Sequence, residues 1–301
     1  MPAGCLALAG LVALLTPTSA LAEFAKDPEI RPGKVRGSVV VGHSEYSGGD
    51  KVLVAAPRVY VDYRALEALK VWLDVPMSHV SWRYDEDNGQ SSFQLANIAF
   101  GARYVTRVSP KLVIRTGGGL AVPSATVPDG DATGFMGWQS APMSDRLLGL
   151  LSHIVTAESH GLWKYWLYEP DRLSIVSDTR LVFRAGKFRL TALLDIALSI
   201  YTGPAEREPD NVATIGVGLG MTAAFRNKVV EVGLGVRAMG LALNRETSNE
   251  KYQLSAAPFF RAFFSSGFID VRWNLNLAGL AGFSLDDGDY WGLEIGLGAY
   301  L

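Results

Sequence analysis

Long stretches of this chain alternate between apolar and polar residues with a period of two. The clearest stretch runs from residue 269 to 283. One face carries Ile269, Val271, Trp273, Leu275, Leu277 and Phe283, and the other carries Asp270, Arg272, Asn274 and Asn276. Successive side chains of a β-strand point to opposite faces. The pattern therefore predicts strands with one apolar face and one polar face.

Twelve stretches carry this pattern and are predicted to be strands. They are 34–43, 57–65, 69–82, 92–106, 110–122, 171–185, 187–202, 211–225, 227–243, 251–265, 268–283 and 290–301. Strands of soluble proteins are usually about 5–6 residues long, whereas a tilted membrane strand needs about 9–11. No apolar run of helical membrane-spanning length follows residue 22, so we expect the strands themselves to cross the membrane.

The predicted connections alternate between short and long. Short joints lie near 66–68, 109–110, 185–186, 227 and 266–267, and longer ones at 44–51, 84–91, 123–170, 203–211, 244–250 and 285–289. Short turns on one side and longer loops on the other are typical of outer-membrane barrels. With an even number of strands, both termini would lie on the short-turn, periplasmic side.

A soluble antiparallel sandwich also alternates, because its apolar face packs inward. Here the polar face is rich in glycine and carries isolated charges of both signs, unlike the dense polar cover of a soluble surface. Inward glycines such as Gly216, Gly218 and Gly220 would leave space in a lumen or allow curvature. A closed barrel also pairs every backbone donor and acceptor, which lipid cannot do.

Aromatic residues near predicted strand ends suggest interfacial girdles, although strands of any kind attract aromatics. The candidates are Tyr60, Tyr63, Trp72, Trp82, Tyr104, Phe183, Phe188, Tyr201, Phe225, Tyr252, Phe264, Phe268, Phe283 and Trp291.

The N-terminus reads as an export signal. An apolar run from Leu6 to Leu15 precedes Ala20-Leu21-Ala22, an A-x-A cleavage pattern. We assign 1–22 to a signal peptide, 23–33 to a periplasmic stub and 34–301 to the barrel; an uncleaved anchor is the alternative, because no Lys or Arg precedes the run. The only cysteine is Cys5, which excludes disulfides, cysteine-based zinc sites and thiol catalysis after cleavage.

Together the export signal, the two-faced strands and the alternating final strand resemble bacterial outer-membrane β-barrel proteins of porin or transporter type, without indicating a specific family. The chain ends Ala299-Tyr300-Leu301, whereas such barrels typically end in an aromatic residue. The resemblance implies an all-β antiparallel transmembrane barrel in a Gram-negative outer membrane. It also implies contact with membrane lipid and lipopolysaccharide, and assembly by the barrel-assembly machinery.

Charged residues share the inward phase if the apolar rows face lipid. We predict a pore lined by Arg36, Asp62, Asp74, Arg103, Arg115, Asp178, Arg180, Asp195, Glu231, Arg237, Arg261, Asp270, Arg272 and Glu294. A charge facing lipid at the midplane would cost about 2–4 kcal/mol. The lumen could conduct small solutes, or opposite charges could pair across strands and close it. Arg58, Arg64 and Arg189 share this phase and favour anions.

The long loop 123–170 is the irregular feature of the chain. Ser144 is a candidate N-cap for a short helix over 145–155, where Asp145 would favour the helix dipole. The loop either folds into or over the barrel mouth and constricts it, or packs outside on the rim. The aromatic run 162–168 is expected to extend the sixth strand through the interface, with a sugar-stacking platform as the alternative.

Charge and motifs narrow the function further. The net charge is −2, which gives no support to nucleic-acid binding. His43, His79, His153 and His160 form no H-E-x-x-H motif or nucleophile elbow. We therefore expect a narrow or gated channel for small hydrophilic solutes, with no catalytic residues, metal or cofactor. The alternatives are a closed structural or surface-binding barrel and a lipid-modifying enzyme.

Overall fold

The computed structural model describes residues 33–45, 51–83, 89–125, 144–161, 164–204, 213–242, 252–278 and 291–301. The strands are β1 (Gly33–Glu45), β2 (Lys51–Arg64), β3 (Leu69–Arg83), β4 (Gly89–Leu95), β5 (Ala99–Ser109), β6 (Leu112–Ala121), β7 (Arg172–Ala185), β8 (Phe188–Tyr201), β9 (Ala213–Arg226), β10 (Val230–Ala242), β11 (Tyr252–Phe263), β12 (Gly267–Ala278) and β13 (Trp291–Tyr300). Helix α1 (Asp145–Ser159) and the one-turn 3-10 helix η1 (Tyr165–Leu167) lie between β6 and β7. The predicted signal peptide and most of the stub fall outside the described residues.

The strands form one closed antiparallel barrel. Apart from β4 and β5, each strand pairs with its neighbours in sequence, and the ring closes where β1 pairs with both β13 and β2. β4 and β5 pair with successive halves of β3 and together form one wall position, so the wall has twelve. The predicted all-β barrel of about twelve strands is confirmed.

The predicted strand 92–106 is interrupted at Ala96–Ile98, between β4 and β5. Gln94 pairs with the buried Ser78 in β4, whereas Arg103 pairs with the buried Lys70 in β5. The inward positions are therefore even before the interruption and odd after it. This change of phase buries the intervening Asn97.

The outer face is apolar, as the alternation predicts. Large hydrophobic residues such as Leu219, Leu234 and Leu297 are exposed on it. Tyr63, Tyr104, Phe183, Phe188, Phe225 and Phe264 are also exposed, most of them near the short turns. For Trp72, Trp82 and Phe268, however, the girdle prediction is wrong, because their strand phase turns them inward and they are buried.

Strand β2 begins at Lys51 rather than at the predicted residue 57. Its first half carries Val52, Val54 and Ala56 on the inner face, where all three are fully buried. An inner face that is apolar removes the polar–apolar contrast on which the prediction depends. The reason for these apolar residues is helix α1, which packs on them inside the barrel.

The predicted long loop agrees with the structure, since β6 ends at Ala121 and β7 begins at Arg172. Among the described residues, no helix combines the length and apolar character needed to cross a membrane.

Candidate functional site

The barrel interior contains all fourteen residues predicted to line a pore. All fourteen occupy inward positions of their strands. Most form ion pairs with one another or with other inward-facing cations, and the rest line a common cavity. Whether they line a conducting pore stays a prediction. The geometry does show that charges of opposite sign are paired in the lumen.

The ion pairs described in the lumen form five separate groups, which together contain more basic than acidic side chains. They join eleven cations to seven carboxylates: Lys34 and Lys70 to Asp62; Arg58 and Lys164 to Asp74; Arg103 and Arg180 to Asp178; Arg237 to Asp195; Arg189 and Arg261 to Glu231; Arg36 and Arg261 to Asp270; and Arg36 and Arg272 to Glu294. These described pairs contain four more basic than acidic side chains. Such an excess in a narrow, low-dielectric space raises the local concentration of anions.

Several of these pairs reach across an intervening strand at a glycine. Arg237 on β10 binds Asp195 on β8, and both side chains pass over Gly218 of β9. A Cβ atom at Gly218 would overlap both side chains. The inward glycines therefore make room for ion pairs, which is a more specific role than the predicted lumen space.

Helix α1 lies inside the barrel mouth. Of the two predictions for the long loop, folding into the mouth is therefore correct for this helix, and packing outside on the rim is not. Its residues Leu148, Leu151 and Val155 pack with inward residues of β1, β2 and β3. Ser152 Oγ lies 2.8 Å from Ser78 Oγ on β3, with both residues fully buried.

Both ends of α1 are fixed by specific contacts. At the first turn Ser144 Oγ accepts a hydrogen bond from Leu147 N at 3.3 Å, so Ser144 is the predicted N-cap. At the last turn Asn274 Nδ2 on β12 donates to Ser159 O at 3.0 Å. The backbone there touches the wall at Gly292, where a Cβ atom would overlap Ser159.

The aromatic run after α1 does not extend a strand, so that prediction is wrong. Tyr165, Trp166, Leu167 and Tyr168 turn inward around η1 and are buried in the lumen. They join a cluster that includes wall residues from β3 to β10, because small residues on these strands leave space for the rings. Tyr165, for example, fills the space above Gly216 of β9. We call the described residues 144–161 and 164–170 the inserted segment.

Asn97, in the interruption between β4 and β5, anchors the inserted segment. Its Nδ2 donates to Trp166 O at 3.2 Å and to Glu169 O at 2.6 Å, and its Oδ1 accepts from Ala125 N at 3.0 Å. Its backbone N also donates to Leu167 O at 2.7 Å. Sequence reasoning missed this residue, because a single buried amide has no periodic signal.

Lys164 connects the inserted segment to the charged wall. Its Nζ donates to Asp74 Oδ2 at 2.7 Å, and Arg58 Nε donates to the other oxygen of Asp74 at 2.7 Å. The ammonium also lies 5.4 Å from the ring centre of Tyr60 and 5.7 Å from that of Trp72. Burial lowers the pKa of Lys164 to about 7, against the opposing effect of Asp74.

His160 follows α1 and is buried beside Tyr168, with the two rings stacked 5.5 Å apart. Burial lowers the pKa of His160 from 6.5 to about 4. Burial also raises the pKa of the Tyr168 hydroxyl. Both groups are therefore neutral at pH 7.

A cavity of about 280 Å³ lies between the inserted segment and the short-turn half of the barrel. Ten lysines and arginines line it against three acidic residues. His160, Lys164, Trp166 and Tyr168 contribute from the inserted segment. The structure thus contains a cationic chamber covered by a segment that crosses the lumen.

No protein-family model and no curated protein matches this sequence. Solved outer-membrane barrels share its fold. A channel from Pseudomonas putida F1 aligns with a TM-score of 0.58 at 10% identity, over 92% of this chain and 99% of that one. The NanC porin aligns with a TM-score of 0.52 at 8% identity, over 88% and 100%. The translocator domain of the autotransporter NalP from Neisseria meningitidis gives 0.50 at 9%, over 99% and 97%. The chain has the fold of bacterial outer-membrane β-barrels, and its apolar outer face suits that location.

Proposed function

We propose that this barrel is a narrow, gated channel for small hydrophilic solutes, with a preference for anions and with the inserted segment as its constriction. The main support for this proposal is the cationic chamber of about 280 Å³, which lies beneath a segment that spans the lumen.

The anion preference follows from the charges. The described interior ion pairs have four more cations than carboxylates. Walls of low dielectric focus the field of such an excess into the lumen. A permeant anion is stabilised there, and a cation is repelled.

The gate follows from how the inserted segment is held. Its described contacts with the wall include the apolar face of α1, the buried aromatic cluster around η1, the hydrogen bonds of Asn97, Ser152 and Ser159, and the ion pair of Lys164 with Asp74. None of these is covalent. Release of the segment would join the chamber to the barrel mouth.

Two of the solved structures with the same fold support this proposal at the level of class. One is named a channel and another a porin. The outer face is proposed to contact membrane lipid and lipopolysaccharide, and the barrel to be inserted by the barrel-assembly machinery. We propose no catalytic role, because His43 and His79 lie on the outer face and His153 and His160 lie in the inserted segment.

The test removes the inserted segment without disturbing the wall. Asp171 N donates to Ala125 O at 2.8 Å, so the two ends of the loop already meet and a short Gly-Ser linker can replace 127–169. We expect the intact barrel to show small or infrequent conductance steps in planar bilayers and the shortened barrel to show large, stable ones. In a KCl gradient, the reversal potential should report a preference for chloride.

A closed structural or surface-binding barrel is the second candidate, because the interior ion pairs link strands that are not neighbours. It would be favoured if the shortened barrel folded normally and still conducted no current. Preference for potassium over chloride would contradict the proposed selectivity.

A further inference from the structure

One half of the chamber wall has an uncharged surface that crosses five neighbouring strands. At its centre, directly opposite residues of β7, β8, β9, β10 and β11 form a continuous row, which consists of Val182, Thr191, Thr222, Gly235 and Ala257. Leu193 adjoins this row on the long-loop side, and Phe259 adjoins it on the short-turn side. All seven residues line the chamber, and we call them the uncharged patch.

Glycines allow the two large apolar side chains of the uncharged patch to lie against the wall. The side chain of Leu193 lies beside Gly220, where a Cβ atom would be 3.5 Å from Leu193 Cδ2. The ring of Phe259 covers Gly233, where a Cβ atom would be 2.7 Å from Phe259 Cζ. Both side chains are only half-buried, so they present apolar surface to the chamber.

The cations of the chamber lie mainly on the other half of the wall. Nine wall cations line the chamber, and six of them belong to strands outside the uncharged patch: Lys34, Arg36, Arg58, Arg103, Arg115 and Arg272. The other three, Arg180, Arg189 and Arg261, border the patch. In a wall of twelve positions, β1, β2 and β3 lie across the lumen from β8, β9 and β10. The chamber therefore has a charged side and an uncharged side.

A chamber with two unlike sides favours a solute with two unlike sides. Apolar surface of a solute gains about 25 cal/mol for each Å² that the patch removes from water. The side-chain hydrogen-bonding groups of the patch are only the hydroxyls of Thr191 and Thr222. A solute hydroxyl turned towards the patch therefore loses water without a full set of replacement partners. The patch thus favours an apolar body over a polyhydroxylated one of the same size.

We propose that the chamber binds a small carboxylate or sulfonate with an apolar body, such as a single ring or a short alkyl chain. The body lies on the uncharged patch, and the anionic group points across the lumen towards the cations of β1 and β2. A volume of about 280 Å³ lies just below the range of about 300–1,000 Å³ that is typical of pockets for drug-sized ligands, which limits the body to this size. The anionic group rests on the proposed function, whereas the apolar body rests on the uncharged patch itself.

The test compares three solutes that share one carbon skeleton. Cyclohexanecarboxylate has an apolar ring, quinate has the same ring and carboxylate with hydroxyl groups added, and cyclohexanecarboxamide has the apolar ring without the charge. Each is titrated into the full-length folded barrel in deuterated detergent micelles, where no conduction is required. Binding is followed by saturation-transfer NMR, with empty micelles as the blank. We expect cyclohexanecarboxylate to bind more tightly than the carboxamide, and about tenfold more tightly than quinate, which corresponds to about 55 Å² of apolar surface removed from water.

Variants assign the body of the ligand to the uncharged patch. Leu193→Asn replaces an apolar side chain with a polar one of similar size and should weaken cyclohexanecarboxylate binding about threefold to fivefold, while quinate binds as before. Phe259→Ala should act in the same way. Phe263→Ala is the matched control for Phe259→Ala, because Phe263 also faces inward on β11 but lies in a cluster with Phe268 and Tyr300, outside the chamber lining.

Equal affinities for cyclohexanecarboxylate and quinate, or losses in Leu193→Asn and Phe259→Ala that are the same for both anions, would overturn the apolar body of the ligand. Equal affinities for cyclohexanecarboxylate and the carboxamide would overturn the anionic group, and with it the anion preference of the proposed channel. The expected binding in a barrel that conducts no current would support the site and contradict the channel alone.

Discussion

Arg36 and Asp270 form a two-pronged ion pair, although they lie on β1 and β12 and β13 runs between them. Arg36 Nε donates to Asp270 Oδ1 at 3.1 Å, and its Nη2 donates to Oδ2 at 2.8 Å. The pair passes over Gly296 of β13, where a Cβ atom would overlap both side chains. Because glycine has no side chain, the ion pair can pass over β13 and link the two strands on either side of it.

Gly296→Val is therefore expected to destabilise the barrel by about 3 kcal/mol, because it separates a buried ion pair and leaves its charges without partners. The matched control is Gly37→Val on β1, since nothing lies within 4 Å of a Cβ atom there and the residue faces outward. Urea unfolding followed by tryptophan fluorescence measures the difference. Equal midpoints for the two variants would refute the structural role of Gly296.

The wall of the barrel is predictable from the sequence because lipid imposes one strict rule on every strand. A charge such as Asp270 or Glu294 must take the inward phase, so the side-chain alternation also fixes which charges the lumen receives. The partners of these charges are not predictable, because the pairs cross strands at Gly218 and Gly296 rather than following sequence order.

The prediction is weakest where the interior itself is apolar. Val52 and Val54 face inward onto α1, so the first half of β2 loses the contrast between its faces. The sequence also does not predict that Tyr165 and Trp166 turn inward, because an aromatic residue suits both a membrane interface and a buried cluster. The burial of Asn97 could not be predicted either, because it results from a local change of strand phase that a periodic pattern does not contain.

A disulfide between α1 and β3 should lock the proposed gate. Ser78 Oγ and Ser152 Oγ are 2.8 Å apart, which suits the short Cβ separation that a disulfide needs. We expect Ser78→Cys/Ser152→Cys to conduct little when oxidised and to recover normal conductance after reduction. Each single cysteine variant is the control and should not respond to reductant. Unchanged conductance in the oxidised double variant would show that α1 does not move in gating.

Asn97→Ala should loosen the inserted segment. It removes hydrogen bonds to Ala125, Trp166 and Glu169, and the loss of buried partners of this kind costs about 1–3 kcal/mol for each group left unsatisfied. We expect more frequent channel opening and faster proteolytic cleavage of the segment. Gln94→Ala is the control, since the Gln94 amide bonds Ser92 on its own strand. If both variants resist cleavage equally, Asn97 is not the anchor.

Acidification should release the inserted segment through His160. The pKa of His160 is about 4 when the segment is in place, because of burial, with Arg58 and Arg36 also lowering it and Glu294 and Asp74 raising it. A released segment exposes His160 to water, where the ordinary value of about 6.5 applies. The released state therefore binds the proton first, and the stability of the docked segment falls as the pH drops from 6.5 towards 4.

Below pH 4, the difference between the two pKa values of His160 lowers the stability of the docked segment by about 3 kcal/mol, which favours the open state. Open probability in planar bilayers should accordingly rise between pH 7 and pH 4.5. In His160→Phe the ring that stacks on Tyr168 remains but the titrating nitrogen is gone, so the rise should be much smaller. His43→Phe on the outer face of β1 should open as the unmodified barrel does. An acid response in His160→Phe equal to that of the unmodified barrel would assign the effect to the lumen carboxylates instead.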